Sequence, residues 1–233
     1  MKETGVLFNT DMVKAEREDR KTMTRRLDGL KKVNENPDKW ELIGTGISKD
    51  ANNFQAVLRN PNMSQRLFVV KCPFGVVGDR LWVRETFAYV GRSDPGYLVY
   101  RATYPVGLPP GTENIPKDIK DAGYKWAPSI HMPRRLCRTV LEITDIRVER
   151  VRDISNEDAL AEGIIKEDLP PDSDNFHPPG SYGYVSGLYP FPKGSIHVHP
   201  HEAFRELWNS VYEKRGQGWN KNPWVWVITF KRI

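Results

Sequence analysis

The apolar positions of the chain fall into two rhythms, one of period two and one of period three to four. Over residues 138–151 Leu141 and Ile143 share one phase of an alternating pattern, while Ile146 and Val148 share the other. A strand with one buried face keeps its phase, so the change predicts an extra residue, a bulge, at Thr144-Asp145. Trp224 to Phe230 is apolar nearly throughout and predicts a buried strand. Shorter strands are predicted at Phe54–Leu58 and Leu67–Cys72, on either side of the turn-forming Asn60-Pro61-Asn62. Gly78-Asp79 is a turn dipeptide that feeds a half-buried strand, Arg80–Glu85. Lys21–Arg25 reads as a turn running into a short strand, and Tyr97–Arg101 as another short strand.

Helical spacing is found in fewer places. Asn9, Thr10 and Asp11 are all suited to an N-cap, and no Gly or Pro follows before Arg20, which predicts a helix from Thr10 to Arg20. Phe204, Leu207, Trp208 and Val211 stand at i, i+3, i+4 and i+7, one buried stripe of a helix running from His201 to Glu213. Between the long strand and that helix, Ser155 caps a short helix to Glu162 that Gly163 ends, with Asp158 in the capping-box position. Residues 31–53 read as loop or weak hairpin, and the Pro- and Gly-rich stretches 91–125 and 165–199 as surface excursions. No strand–helix–strand rhythm and no internal repeat appears. The expectation is a single α+β domain over residues 1–233, built on a small barrel or strongly bent sheet with flanking helices and loop insertions at about 31–65, 91–125 and 165–200.

Composition narrows the setting. Hydrophobic residues make up 39% and charged residues 28%. No apolar run approaches the roughly 18–20 residues of a membrane helix. The first residues lack the apolar core of a signal peptide. Two cysteines, Cys72 and Cys137, do not make a disulfide framework. A cytoplasmic protein without a membrane partner is expected. The net charge of +5 is modest, but the arginines cluster at 20–26, 134–138 and 147–152. Such clusters suit a phosphate backbone, and equally a solvated face balanced by Glu and Asp.

Candidate chemistry is sparse. There is no phosphate-binding glycine loop, nucleophile elbow or Cys-x-x-Cys pair. His197, His199 and His201 alternate as metal ligands on a strand would, but Pro200 interrupts them and His201 opens a helix, so they are read as loop histidines. No metal and no cofactor is expected. Arg20-Lys21-Thr22-Met23-Thr24-Arg25-Arg26 is denser in reactive groups than a turn requires. A lysine steers phosphate or, if burial lowers its pKa, acts as a base; a threonine hydroxyl attacks only when a base takes its proton. Lys21 and Thr24 share a face if the turn is helical and diverge if it is extended. Glu162 ends a short helix, where the dipole disfavours a carboxylate and nudges its pKa upward.

Four segments together resemble the ASCH family, and within it the long members carried by tailed phages and prophages. They are Lys21-Thr22-x-Thr24-x-Arg26, Gly78-Asp79-x-Leu81-Trp82-Val83-Arg84-Glu85, His131-Met132-Pro133-Arg134, and the Trp224–Phe230 ending. The resemblance implies a PUA-like β-barrel and an RNA or modified-nucleoside partner in the host cytoplasm. One branch of the family removes the acetyl group of N4-acetylcytidine as an amidohydrolase. By that likeness Thr24 is the nucleophile, Lys21 its activator and Glu162 the acid–base or orienting group. Arg20, Arg25, Arg26, Trp82, Arg84 and Arg134 are the expected substrate or nucleic-acid contacts. A non-catalytic RNA-binding or adaptor module and a ribonuclease are the alternatives. The chain departs from the family in having Asp19 where a glycine precedes the Arg-Lys-Thr run, and in being about twice as long as the amidohydrolase branch.

Overall fold

A computed structural model describes residues 1–48, 53–62, 67–91, 96–106, 108, 119–168, 182–186 and 196–233. In chain order the elements are β1 (Glu3–Leu7), α1 (Thr10–Arg17), β2 (Met23–Arg26), α2 (Lys31–Asn34), β3 (Glu41–Ile47), β4 (Phe54–Arg59), β5 (Leu67–Lys71) and β6 (Arg80–Arg84). Then follow β7 (Phe87–Val90), β8 (Tyr97–Tyr100), β9 (Val140–Arg150), α3 (Asn156–Ala161), β10 (Ile165–Asp168), β11 (Tyr182–Val185), α4 (Pro200–Tyr212) and β12 (Trp224–Arg232). This is a mixed α+β chain, mostly sheet with few helices.

Five strands form the main sheet in the order β1-β6-β9-β12-β2, and β3-β4-β5 form a second sheet. β1 runs parallel to β6, an edge pairing that the expected elements did not include. β12 lies between β9 and β2, and its alternate residues serve two cores. Trp224, Trp226, Ile228 and Phe230 enter the core shared with Ala56, Leu58 and Val70 of the second sheet. Val225 and Val227 enter the other, among Ala159, Phe204, Leu207 and Trp208. Both faces being covered, the strand tolerates no polar alternation.

The bulge is where the phase change puts it: Thr229 faces Asp145 and Phe230 faces Ile143, leaving Thr144 unpaired in register. The expected closed barrel is not formed by the described strands. The sheet has two edges, β1 and β2, because neither edge strand pairs with the other. They come within one side chain of each other, since Arg26 Nη2 on β2 donates to the Leu7 carbonyl on β1 at 2.8 Å.

All three of the expected insertions hold regular structure. Within 31–65, β3 and β4 pair over most of their lengths, and Ala56 and Leu58 are fully buried, so this part is a sheet on the core rather than a loop. Within 165–200 the described residues form the β10–β11 hairpin, with Tyr184 bridged to His197. In 91–125, β8 pairs with β7 and residues 109–118 lie outside the described residues. The helix expected to reach Arg20 stops at Arg17, because Asp19 takes φ +56° and turns the chain. No described helix is long and apolar enough to cross a membrane.

Candidate functional site: a buried lysine–glutamate pair beside two cavities

The site is assembled by how α1 ends and how α3 ends. Asn9 Oδ1 accepts from Met12 N at 2.8 Å and starts α1. After the left-handed Asp19, both Arg20 N and Lys21 N donate to the Ala15 carbonyl, at 2.9 and 3.0 Å. The chain is then extended: Lys21 bridges Glu162 as an isolated β pair, and Thr22 N donates to Ala161 O at 2.9 Å. Gly163 makes this approach possible. It has φ +103°, and a Cβ there would lie 3.0 Å from the Ala15 Cβ and 3.5 Å from that of Lys21.

Lys21 is 1% exposed. Its ammonium donates to Glu162 Oε2 at 2.6 Å, to the Met23 carbonyl at 2.7 Å and to the Glu162 carbonyl at 2.9 Å. As an ammonium it spends all three of its donors on these three acceptors. Burial, with the charges of Arg26 and Arg25 adding to it, pushes the Lys21 pKa below that of an ordinary lysine, against the pull of Glu162. Glu162 also accepts from Arg25 Nη1 at 3.3 Å. Arg25 Nη2 in turn reaches Glu149 Oε1 at 2.5 Å and Asp158 Oδ2 at 2.6 Å. Burial works against the Arg25 charge, but its carboxylate partners prevail and its pKa is raised. Arg147 joins the same network through Glu149 and Asp158.

Because the backbone is extended, Lys21 and Arg25 fall in one phase and Thr24 in the other. No hydrogen bond joins Lys21 Nζ to Thr24 Oγ1 among the described residues. Thr24 instead lines a small cavity of about 30 Å³ together with Glu162, Met12, Phe204 and Leu207. A larger cavity, about 320 Å³, shares Met12, Glu162 and Leu207 with it and is otherwise bounded by α1, Arg20, Gly163, Ile165 and Ser186. That volume is at the lower end of the roughly 300–1,000 Å³ of small-molecule sites. Among the described residues Glu162 is the one acidic residue lining both.

The other expected contacts divide. Arg20 stands at the larger cavity, donating to Glu18 at 2.9 Å through Nε and to the Gly163 carbonyl at 3.0 Å through Nη1. Arg25 and Arg26 border the small one. Trp82, Arg84 and Arg134 line neither cavity. Trp82 lies against Gly5 of β1, the Arg84 guanidinium sits 5.3 Å from the Trp82 ring, and Arg134 pairs with Glu3 at 3.0 Å. The ring beside Lys21 is Phe8, 5.6 Å from its ammonium.

The arginine clusters are largely committed to carboxylates. Arg138 makes two bonds to Glu85, and Arg150 pairs with Asp38 at 2.6 Å. His197 faces Glu206 at 3.1 Å, while His199, which caps α4, stacks on His201, with ring centroids 5.5 Å apart, and His201 meets Asn156 at 3.0 Å. Glu149, Asp158 and Ser186 were not singled out in the sequence. Asp158 had a signal in its capping-box position; Ser186 had none. No family model, curated protein or solved structure matches the chain.

Proposed function

We propose that the chain is a PUA-like, ASCH-type protein acting on a modified nucleoside, and that it hydrolyses the exocyclic amide of an N4-acetylcytidine-like substrate. The observation that carries this reading is the buried Lys21–Glu162 pair, set where Glu162 lines two adjoining cavities and Thr24 lines one of them. A lysine whose three donors are already engaged holds and orients Glu162 rather than taking a proton, so the base is Glu162. The small cavity, lined by both Thr24 and Glu162, has room for a water, which needs on the order of 10–15 Å³.

In this mechanism Thr24 Oγ1 bonds to the acyl carbon as its proton passes to Glu162. The tetrahedral adduct collapses, the C–N bond breaks, and the same proton goes to the exocyclic nitrogen, which leaves as the amine. Water then hydrolyses the threonyl ester to the free acid and restores the hydroxyl. An RNA track along the arginines has less support, because Arg134, Arg138, Arg147 and Arg150 are already paired with carboxylates.

The test is incubation with N4-acetylcytidine, followed by mass. The parent should release cytidine and acetate, while Thr24→Ala and Glu162→Gln should not. No release by the parent, or release by Thr24→Ala at the parent rate, overturns the reading.

A further inference from the structure

Helical phase decides which face of α1 walls the larger cavity. Asp11, Lys14, Ala15 and Glu18 stand at i, i+3, i+4 and i+7 and all line it, which puts Asp11 on the cavity side of the helix. Val13 and Glu16, on the opposite side, are buried. Most of the charge around the cavity is already matched: Glu18 pairs with Arg20, and Glu162 with Lys21 and Arg25. Asp11 and Lys14 are not matched. Opposite charges one turn apart commonly pair, yet neither side chain makes an ion pair or a hydrogen bond among the described residues. Asp11 is half-buried and Lys14 exposed. Desolvation holds the Asp11 carboxyl above its ordinary pKa, against the charges of Lys14 and Arg101. A carboxylate so placed gains from any donor that a ligand brings.

We infer that Asp11 is a specificity-determining residue at a sugar subsite, its carboxylate accepting from the vicinal ribose hydroxyls of the nucleoside. An ionised carboxylate only accepts, so its partner must donate. A cationic donor meets the ammonium of Lys14 on the same wall. A phosphate meets three carboxylates, those of Asp11, Glu18 and Glu162, against the two cations Lys14 and Arg20. Uncharged hydroxyls meet neither repulsion, and two adjacent ones match the two oxygens of one carboxylate. The cavity also gives the nucleoside a direction. Met12, Glu162 and Leu207 line both cavities, whereas Asp11 and Lys14 line the larger one alone. The base and its exocyclic amide belong at the shared end, near Glu162 and Thr24, which leaves the ribose to the wall formed by α1. This rests on the nucleoside reading above, and the two are separable.

The test is titration with cytidine and with 2′,3′-dideoxycytidine, followed by the methyl resonances of Met12, Ile165 and Leu207, together with turnover of N4-acetylcytidine. The parent should bind cytidine about ten- to a hundredfold more tightly than the dideoxynucleoside, the effect of hydrogen bonds to a charged acceptor. Asp11→Ala should lose that preference through cytidine alone. Its affinity for dideoxycytidine should stay within about threefold of the parent, which also shows the cavity intact. Asp11→Asn, which keeps the shape and a neutral acceptor, should retain a preference of about three- to tenfold. Equal affinity of the parent for the two nucleosides overturns the subsite, and so does a preference that survives in Asp11→Ala. Cytidine that leaves those methyls unmoved in the parent overturns it as well. A preference that depends on Asp11, without any turnover by the parent, keeps the subsite and sinks the hydrolase. Turnover by a parent that shows no preference does the reverse.

Discussion

Replacing Glu162 with Gln tests how firmly the site depends on its buried charges. The substitution keeps the volume but removes the carboxylate that accepts from Lys21 at 2.6 Å and from Arg25 at 3.3 Å. The Lys21 side chain is fully buried and the Glu162 side chain 3% exposed, so neither charge is relieved by solvent. Taking one partner from such a pair leaves an uncompensated charge and costs about 3–5 kcal/mol. At about 2–4 °C per kcal/mol for a domain of this size, the melting temperature should fall by roughly 6–20 °C. Arg25 keeps Glu149 and Asp158, so most of the loss falls on Lys21.

The sign of the pH dependence follows from Lys21. Burial lowers its folded pKa below the unfolded 10.5, so the folded state binds its proton less readily than the unfolded chain. The penalty is full below the folded pKa and lifts as pH rises toward 10.5. Without Glu162 the depression deepens, and the deficit of Glu162→Gln should shrink between pH 7 and pH 10. Lys21→Met combined with Glu162→Gln, which removes both charges, should recover at least half of the loss. The assay is thermal unfolding by circular dichroism across that pH range. A Glu162→Gln variant melting within a degree of the parent refutes the reasoning, since it would mean that water reaches the lysine.

Three further outcomes are expected. Gly163→Ala forces a φ of +103° on a side chain whose Cβ would stand 3.0 Å from that of Ala15, and should cost about 2–4 kcal/mol in urea unfolding. A parent-like midpoint would show that the turn relaxes. Glu16 is buried with its carboxylate raised in pKa, chiefly by desolvation, against the pull of Arg232 and Arg17 and with Asp19 and Glu85 adding to the rise. Its folded form therefore favours the proton, its contribution is fullest below pH 4.5, and stability is lost as pH rises through the raised pKa. Glu16→Gln should melt higher than the parent at pH 7 and equal to it at pH 4. With Arg134, Arg138, Arg147 and Arg150 paired, the chain should bind single-stranded RNA weakly; a log–log salt slope steeper than about −3, equal to four or more phosphate contacts, would reverse that view.

Local pattern was enough to read the strands and helices whose periodicity is set by one buried face. The phase change before Ile146 located the bulge at Thr144, the Phe204–Leu207–Trp208 spacing located α4, and Ser155 located the start of α3. Each of these depends on neighbours within a turn or a pleat, which a sequence displays directly. Register across the sheet was not legible in this way. β1 finds a parallel partner at Arg80–Arg84, far along the chain, and β3–β4 become a core layer although their own residues alternate weakly. Closure of a barrel depends on whether β1 and β2 pair, a long-range geometric matter, and Arg26 bridges those edges by side chain instead.

The site divides along the same line. Lys21, Thr24 and Glu162 stand out as residue types, but their relation required the fold. Extended backbone after Asp19 sets Lys21 and Thr24 in opposite phases, and Gly163 lets α3 come close enough for a 2.6 Å ion pair. The arginine clusters looked alike in sequence, and only the positions of Glu3, Glu85, Asp38 and Asp158 decided that Arg134, Arg138, Arg150 and Arg147 are paired within the chain. Charge is a property of the residue, but whether that charge is free to meet a ligand depends on which distant carboxylate the fold brings to it.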